Sequence, residues 1–136
     1  MRVVLDTNIL FSALISPHGP PDAIYRAWRA SRFELVTSQL QLEEIRRASR
    51  YPKLKTVLQP ARVGTMVNNL QRAIVLERLE GRFEAEDPDD AFLLAMASTA
   101  EADFLITGDR RSGLLQRGHC GRTRIVTASR FCAECL

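Results

Sequence analysis

Arg2-Val3-Val4-Leu5-Asp6-Thr7-Asn8 opens the chain with a short β-branched apolar run that stops at a carboxylate. Val3, Val4 and Leu5 show no polar alternation, the mark of a strand buried on both faces in a parallel sheet. An acid directly after such a strand lies at the carboxyl edge of the sheet, where open parallel sheets bind ligands. Phe104-Leu105-Ile106-Thr107-Gly108-Asp109 repeats the pattern late in the chain, strand first and then acid.

Between these two stretches the periodicity alternates. Asn8 to Ile15 fits a helical turn or two before Pro17-His18-Gly19-Pro20-Pro21 breaks the chain. Asp22 to Ala30 reads as a helix, and Phe33 to Thr37 as a second strand. Ser38 caps a further helix over Gln39 to Arg50, with Leu42 and Ile45 on its apolar stripe. Pro60 starts another helix, with Val63, Met66, Val67 and Leu70 on one face. Ala73 to Glu77 fits either a continuing helix or a short strand. Asp87-Pro88-Asp89-Asp90 reads as a helix entry, leading into the apolar stretch Ala91 to Ala102. Thr123 to Thr127 is a last strand, followed by a short terminal piece over Ala128 to Leu136. Strands alternating with helices predict an α/β fold with a mainly parallel central sheet.

The 136 residues suit one domain, and 46% hydrophobic with 26% charged residues argues against disorder. No apolar run approaches the ~20 residues that span a bilayer. Asp6 interrupts the start, and no basic region precedes an apolar stretch, so no secretory signal is expected. The expectation is a soluble, cytoplasmic, single-domain protein. The net charge of +3 is unevenly spread: residues 1–76 carry +6, residues 77–109 carry −8 and residues 110–136 carry +5. Basic arms around an acidic centre suit a metal site acting on a phosphate polyanion, although a solvated acidic loop has the same arithmetic.

Asp6 and Asp109 follow predicted strands, Glu44 sits about two turns into the helix after the second strand, and Asp90 begins the helix before the third. Four carboxylates on one pocket raise each other's pKa unless a cation neutralises them. All-oxygen ligation suits Mg²⁺ or Mn²⁺, which activate water and neutralise charge on a phosphodiester. Each acid also has a plainer reading. Asp6 and Asp109 could be turn residues, Glu43 and Glu44 surface charges, and Asp87, Asp89 and Asp90 helix caps. His18 and His119 lie in predicted loops and give a histidine-based triad little support. Cys132-Ala-Glu-Cys135 has zinc-knuckle spacing, and His119-Cys120 would complete four ligands, but no second CxxC accompanies it.

Four motifs together resemble a PIN domain: Val3 to Asn8; Ser38 with Glu44 six residues on; Asp87-Pro88-Asp89-Asp90 before Ala-Phe-Leu-Leu-Ala; and Ala102 to Asp109. More narrowly, the chain resembles bacterial PIN proteins described as toxins of toxin–antitoxin systems, from residue 2 to about 131. That resemblance implies a compact three-layer α/β/α sandwich over residues 1–131, a short tail over 132–136, and a metal-dependent endoribonuclease acting on single-stranded RNA. Its acids map to Asp6, Glu44, Asp90 and Asp109, as catalytic residues and as ligands of Mg²⁺ or Mn²⁺. Asn8 and Thr107 match the polar residues that support the first and last acids. Glu43 and Asp89 adjoin two of these positions; spacing favours Glu44 and Asp90. Many relatives carry another acid two residues beyond the last one, where this chain has Arg111. The expected partners are single-stranded RNA, a cognate antitoxin protein and a second copy of the chain.

Other α/β folds fit less well. No GxGxxG or GxxxxGK[ST] occurs, and Lys53 and Lys55 are the only lysines, leaving no late basic residue of the receiver or phosphatase kind. The competing reading is a PIN-like module that binds RNA or an antitoxin without appreciable catalysis. Tyr25 and Trp28 are expected in the core or at a dimer contact. Arg46, Arg47 and Arg50 suit either a solvated helix face or a guide for RNA. Arg110 and Arg111, directly after Asp109, are read as phosphate contacts.

Overall fold

The computed structural model describes residues 1–80, 88–108 and 113–136 of the chain. β1 (Arg2–Leu5) is followed by α1 (Thr7–Ile15), α2 (Pro20–Arg29) and β2 (Glu34–Ser38). α3 (Gln39–Ala48), α4 (Pro52–Lys55) and α5 (Pro60–Leu70) lead to β3 (Ile74–Leu76). α6 (Pro88–Thr99), β4 (Phe104–Ile106), α7 (Leu114–Arg117), β5 (His119–Cys120), β6 (Thr123–Val126) and α8 (Ala128–Cys135) complete the described chain. Proline stands in the first turn of α2, α4 and α5, where a missing N–H costs nothing. That is why α2 begins at Pro20, two residues before the helix read from Asp22.

The strands form one sheet in the order β3-β2-β1-β4-β6-β5. All pairings are parallel except β5 with β6, which turn back on each other through Gly121 at a φ of 57°. His119, placed in a loop by its sequence context, therefore sits in β5. The ambiguous segment around Ala73 forms β3, because Val36 pairs with Ile74 and Ser38 with Leu76.

Side chains alternate across the sheet and divide the core. Val3, Leu5, Leu35, Ile106 and Val126 face a layer that includes Ile24, Ile45, Met66 and Phe131. Val4, Val36, Leu105 and Ile125 face the opposite layer, where Leu93, Leu94, Met96 and Ala97 of α6 pack. A sheet covered on both faces explains the unbroken apolar runs of its strands. The result is the three-layer α/β/α sandwich. Trp28 is buried in the first layer, and Tyr25 is half-buried beside it with ring centroids 5.6 Å apart. Tyr25 also accepts a 3.0 Å hydrogen bond from Asn69 Nδ2.

α8 runs through Cys132 and Cys135, which are half-buried against the first layer. Burial pushes both thiols up from their ordinary pKa, so neither is a ready thiolate. At the amino edge of the sheet, Asp103 accepts from the Arg2 N–H and pairs with Arg122 at 2.8 Å, which holds its carboxyl below the ordinary range. Among the described residues, no helix is long and apolar enough to cross a membrane.

Candidate active site

Strand order reverses at β1. From it the chain builds outward through β2 and β3 on one side, then through β4 and β6 on the other. The crevice at the carboxyl ends of β1 and β4 is therefore the topological switch point, the place where open parallel sheets bind ligands. Leu5 is in register with Ile106, so Asp6 and Thr107 leave the sheet side by side.

Asp6 is held from several directions. Its N–H donates to Ile106 O at 2.9 Å, which continues the β1–β4 ladder by one bond. Its side chain caps α1: Oδ1 accepts from the Asn8 N–H at 3.1 Å. Oδ2 accepts from Thr107 Oγ1 at 2.8 Å. The carboxylate is only 7% exposed, at the N-terminus of α1. Asn8 supports Asp6 through its backbone and is itself exposed.

The other two described carboxylates of the predicted set lie on different helices. Asp90 lies in the first turn of α6, 3% exposed, and α6 packs across β1, β2 and β4. Glu44 lies midway along α3 and is half-buried, whereas Glu43 is exposed. Ser38 joins the two helices: it caps α3 by accepting from the Gln41 N–H at 3.1 Å, and its Oγ donates to Met96 Sδ of α6 at 3.3 Å. Asp109, Arg110 and Arg111 lie outside the described residues, as does Asp87.

Gln41 is the residue that sequence reasoning missed. It is 1% exposed, and its Nε2 donates to Leu5 O at 2.7 Å and to Thr7 Oγ1 at 3.4 Å. Thr37 Oγ1 donates to its Oε1 at 2.7 Å. Gln41 thus ties α3 to the end of β1, one helical turn before Glu44. A signal was present, because Ser38-Gln39-Leu40-Gln41 has the spacing of a capping box. Here, however, the glutamine reaches across to β1 instead of back to its own cap.

Among the described residues, no three Asp, Glu, His or Cys side chains come together as a metal-holding group. The sequence-predicted donors Asp6, Asp90 and Glu44 are all carboxylates, a chemistry that suits a hard divalent cation over zinc.

A family model described as the PIN domain matches residues 2–111. The chain belongs to the PIN domain family. PIN domains are generally nucleases, that is, phosphodiester hydrolases. The solved structure of VapBC2 from Rickettsia felis bound to a DNA fragment from their promoter contains a chain with the same fold. The two superpose with a TM-score of 0.57 at 16% identity, over 93% of this chain and 98% of that one. No curated protein matches this PIN domain in sequence.

Proposed function

We propose that this PIN domain is a divalent-metal-dependent endoribonuclease that cleaves single-stranded RNA in the cytoplasm, as the toxin of a toxin–antitoxin pair. One observation carries the reading: a buried Asp6, held by the Asn8 N–H and the Thr107 hydroxyl, sits at the switch point. The ligands are Asp6, Glu44, Asp90 and Asp109, and the cation is Mg²⁺ or Mn²⁺. Such an ion supplies an activated water and neutralises charge developing on the phosphate. The Asn8 N–H and the Thr107 hydroxyl fix the plane of the Asp6 carboxylate at the ends of β1 and β4. Gln41 sets the distance of α3, and with it Glu44, from the end of β1. The resemblance to the toxins of toxin–antitoxin systems supports a cognate antitoxin as partner, and a homodimer is the proposed assembly.

The test is cleavage of an end-labelled single-stranded RNA with Mn²⁺, with and without a chelator. Chelation should abolish cleavage. Glu44→Gln and Asp90→Asn should do the same, while Glu43→Gln and Asp89→Asn keep most of the rate. Neighbouring residues on a helix point ~100° apart, so only one of each pair faces the ligand crevice. RNA binding without metal-dependent cleavage would replace the enzyme by a binding module.

Arg110 and Arg111 are proposed as phosphate contacts, because they directly follow Asp109 in a stretch of six arginines without an acid up to Arg130. With Ca²⁺ in place of the catalytic metal, Arg110→Ala/Arg111→Ala should weaken RNA binding. Its salt slope should fall by roughly 0.7 for each phosphate that an arginine no longer neutralises. An unchanged slope and affinity would return the pair to the solvated surface.

A further inference from the structure

A concavity of about 430 Å³ lies between α3, α4 and α5. That volume falls within the range of small-molecule sites. Leu58, Val63 and Val67 supply an apolar floor, and Arg46, Arg50 and Lys55 stand around it. None of the lining residues is acidic. Among the described residues, no carboxylate pairs with these three exposed cations. Three like charges around one apolar hollow repel each other, and an anion seated among them relieves that repulsion.

Gly64 lines the same hollow from the middle of α5. Glycine is the poorest helix former short of proline. Nothing in the packing demands it here, since a Cβ at this position would meet no atom within 4 Å. Its backbone is ordinary helix and needs no left-handed conformation. What the glycine does is leave the wall of the hollow bare. Glu44 does not line the hollow, and neither do Asp6, Asp90 or Thr107, so it is separate from the switch-point crevice.

We propose that this hollow binds a small anionic amphiphile, an apolar ring or chain with one acidic head group. The apolar body rests on Leu58, Val63 and Val67, and the head lies among Arg46, Arg50 and Lys55. The volume accommodates a single small molecule, and the carbon-rich floor favours an apolar body over a sugar-phosphate backbone. The site stands independently of the nuclease reading.

The experiment is a fluorescence titration of the full chain with 1-anilinonaphthalene-8-sulfonate and with its uncharged relative N-phenyl-1-naphthylamine. The sulfonate should bind saturably at one site, and decanoate should displace it. Replacing Arg46, Arg50 and Lys55 together with Gln should weaken the sulfonate at least about fivefold, from the summed effect of three exposed ion pairs. The uncharged probe should change by less than about twofold. Gly64→Leu should weaken both probes, because its side chain enters the hollow, and circular dichroism should show the helix content kept. Gly64→Ala, which adds one methyl, should bind both nearly as wild type. Equal sulfonate affinity in the triple variant, or no effect of Gly64→Leu, overturns the proposal. So does displacement by a single-stranded RNA oligonucleotide but not by decanoate, which would make the hollow part of a nucleic-acid track.

Discussion

Asp6→Asn is expected to lower RNA cleavage by more than about 100-fold while leaving the protein folded. Asn is as good a helix cap as Asp, so its carbonyl oxygen can still accept from the Asn8 N–H and keep α1 in place. What is lost is the charge. A neutral amide neither balances a divalent cation nor holds it beside the other carboxylates, so the loss should exceed the roughly 10- to 100-fold typical of an outer-shell partner. Thr107→Val provides that comparison. It removes the 2.8 Å hydrogen bond to Oδ2 but keeps the charge, and it should cost about 10- to 100-fold. Initial rates on a labelled single-stranded RNA, with Mn²⁺ varied, separate the two variants. Thr107→Val should need more Mn²⁺ to reach half its maximal rate, whereas Asp6→Asn should stay inactive at any concentration. Wild-type cleavage by Asp6→Asn would remove the switch point from the mechanism.

Phe131→Ala should destabilise the fold by about 3–5 kcal/mol, the usual cost of emptying a buried phenylalanine site. Phe131 is fully buried and meets Phe33 edge-on at 5.7 Å and Phe104 at 5.2 Å. These rings come from the entry to β2, from β4 and from α8, so one side chain joins two neighbourhoods of the sheet to the last helix. Phe131→Leu refills much of the volume and should lose well under half as much. Urea unfolding followed by circular dichroism measures both. A loss below about 1 kcal/mol for the alanine variant would mean that α8 contributes little to the core.

The resemblance named four carboxylates; the structure describes the surroundings of three, Asp6, Glu44 and Asp90, and Asp109 falls outside it. Spacing from Ser38 favours Glu44 over Glu43, and the two carry the same side chain. Their surroundings separate once Leu42 and Ile45 of α3 are packed into the core, which leaves Glu43 in solvent and Glu44 half-buried. Arg46, Arg47 and Arg50, considered together in the sequence, also separate: Arg46 and Arg50 line the hollow against α4 and α5 and Arg47 does not.

Local chemistry was sufficient for β1, β2, β4 and β6 and for the break before α2. The unbroken apolar runs at Val3–Leu5 and Leu105–Ile106 declare strands buried on both faces, and Pro60 declares the start of α5, whereas Pro20 reads as a break and α4 at Pro52 goes unread. The sequence by itself therefore determined an α/β fold with a mainly parallel sheet and an acid after its first strand. Ala73 to Glu77 stayed undecided because its apolar residues satisfy helix and strand periods alike; only pairing with β2 made it β3. The strand order that puts Asp6 beside Thr107, and the long-range bonds of Gln41 to β1, were decided by the tertiary structure alone. Both join residues distant along the chain, 101 positions apart for Asp6 and Thr107 and 36 for Gln41 and Leu5. Local periodicity carries no term for such pairs, which form only when burying both faces of the sheet brings their elements together.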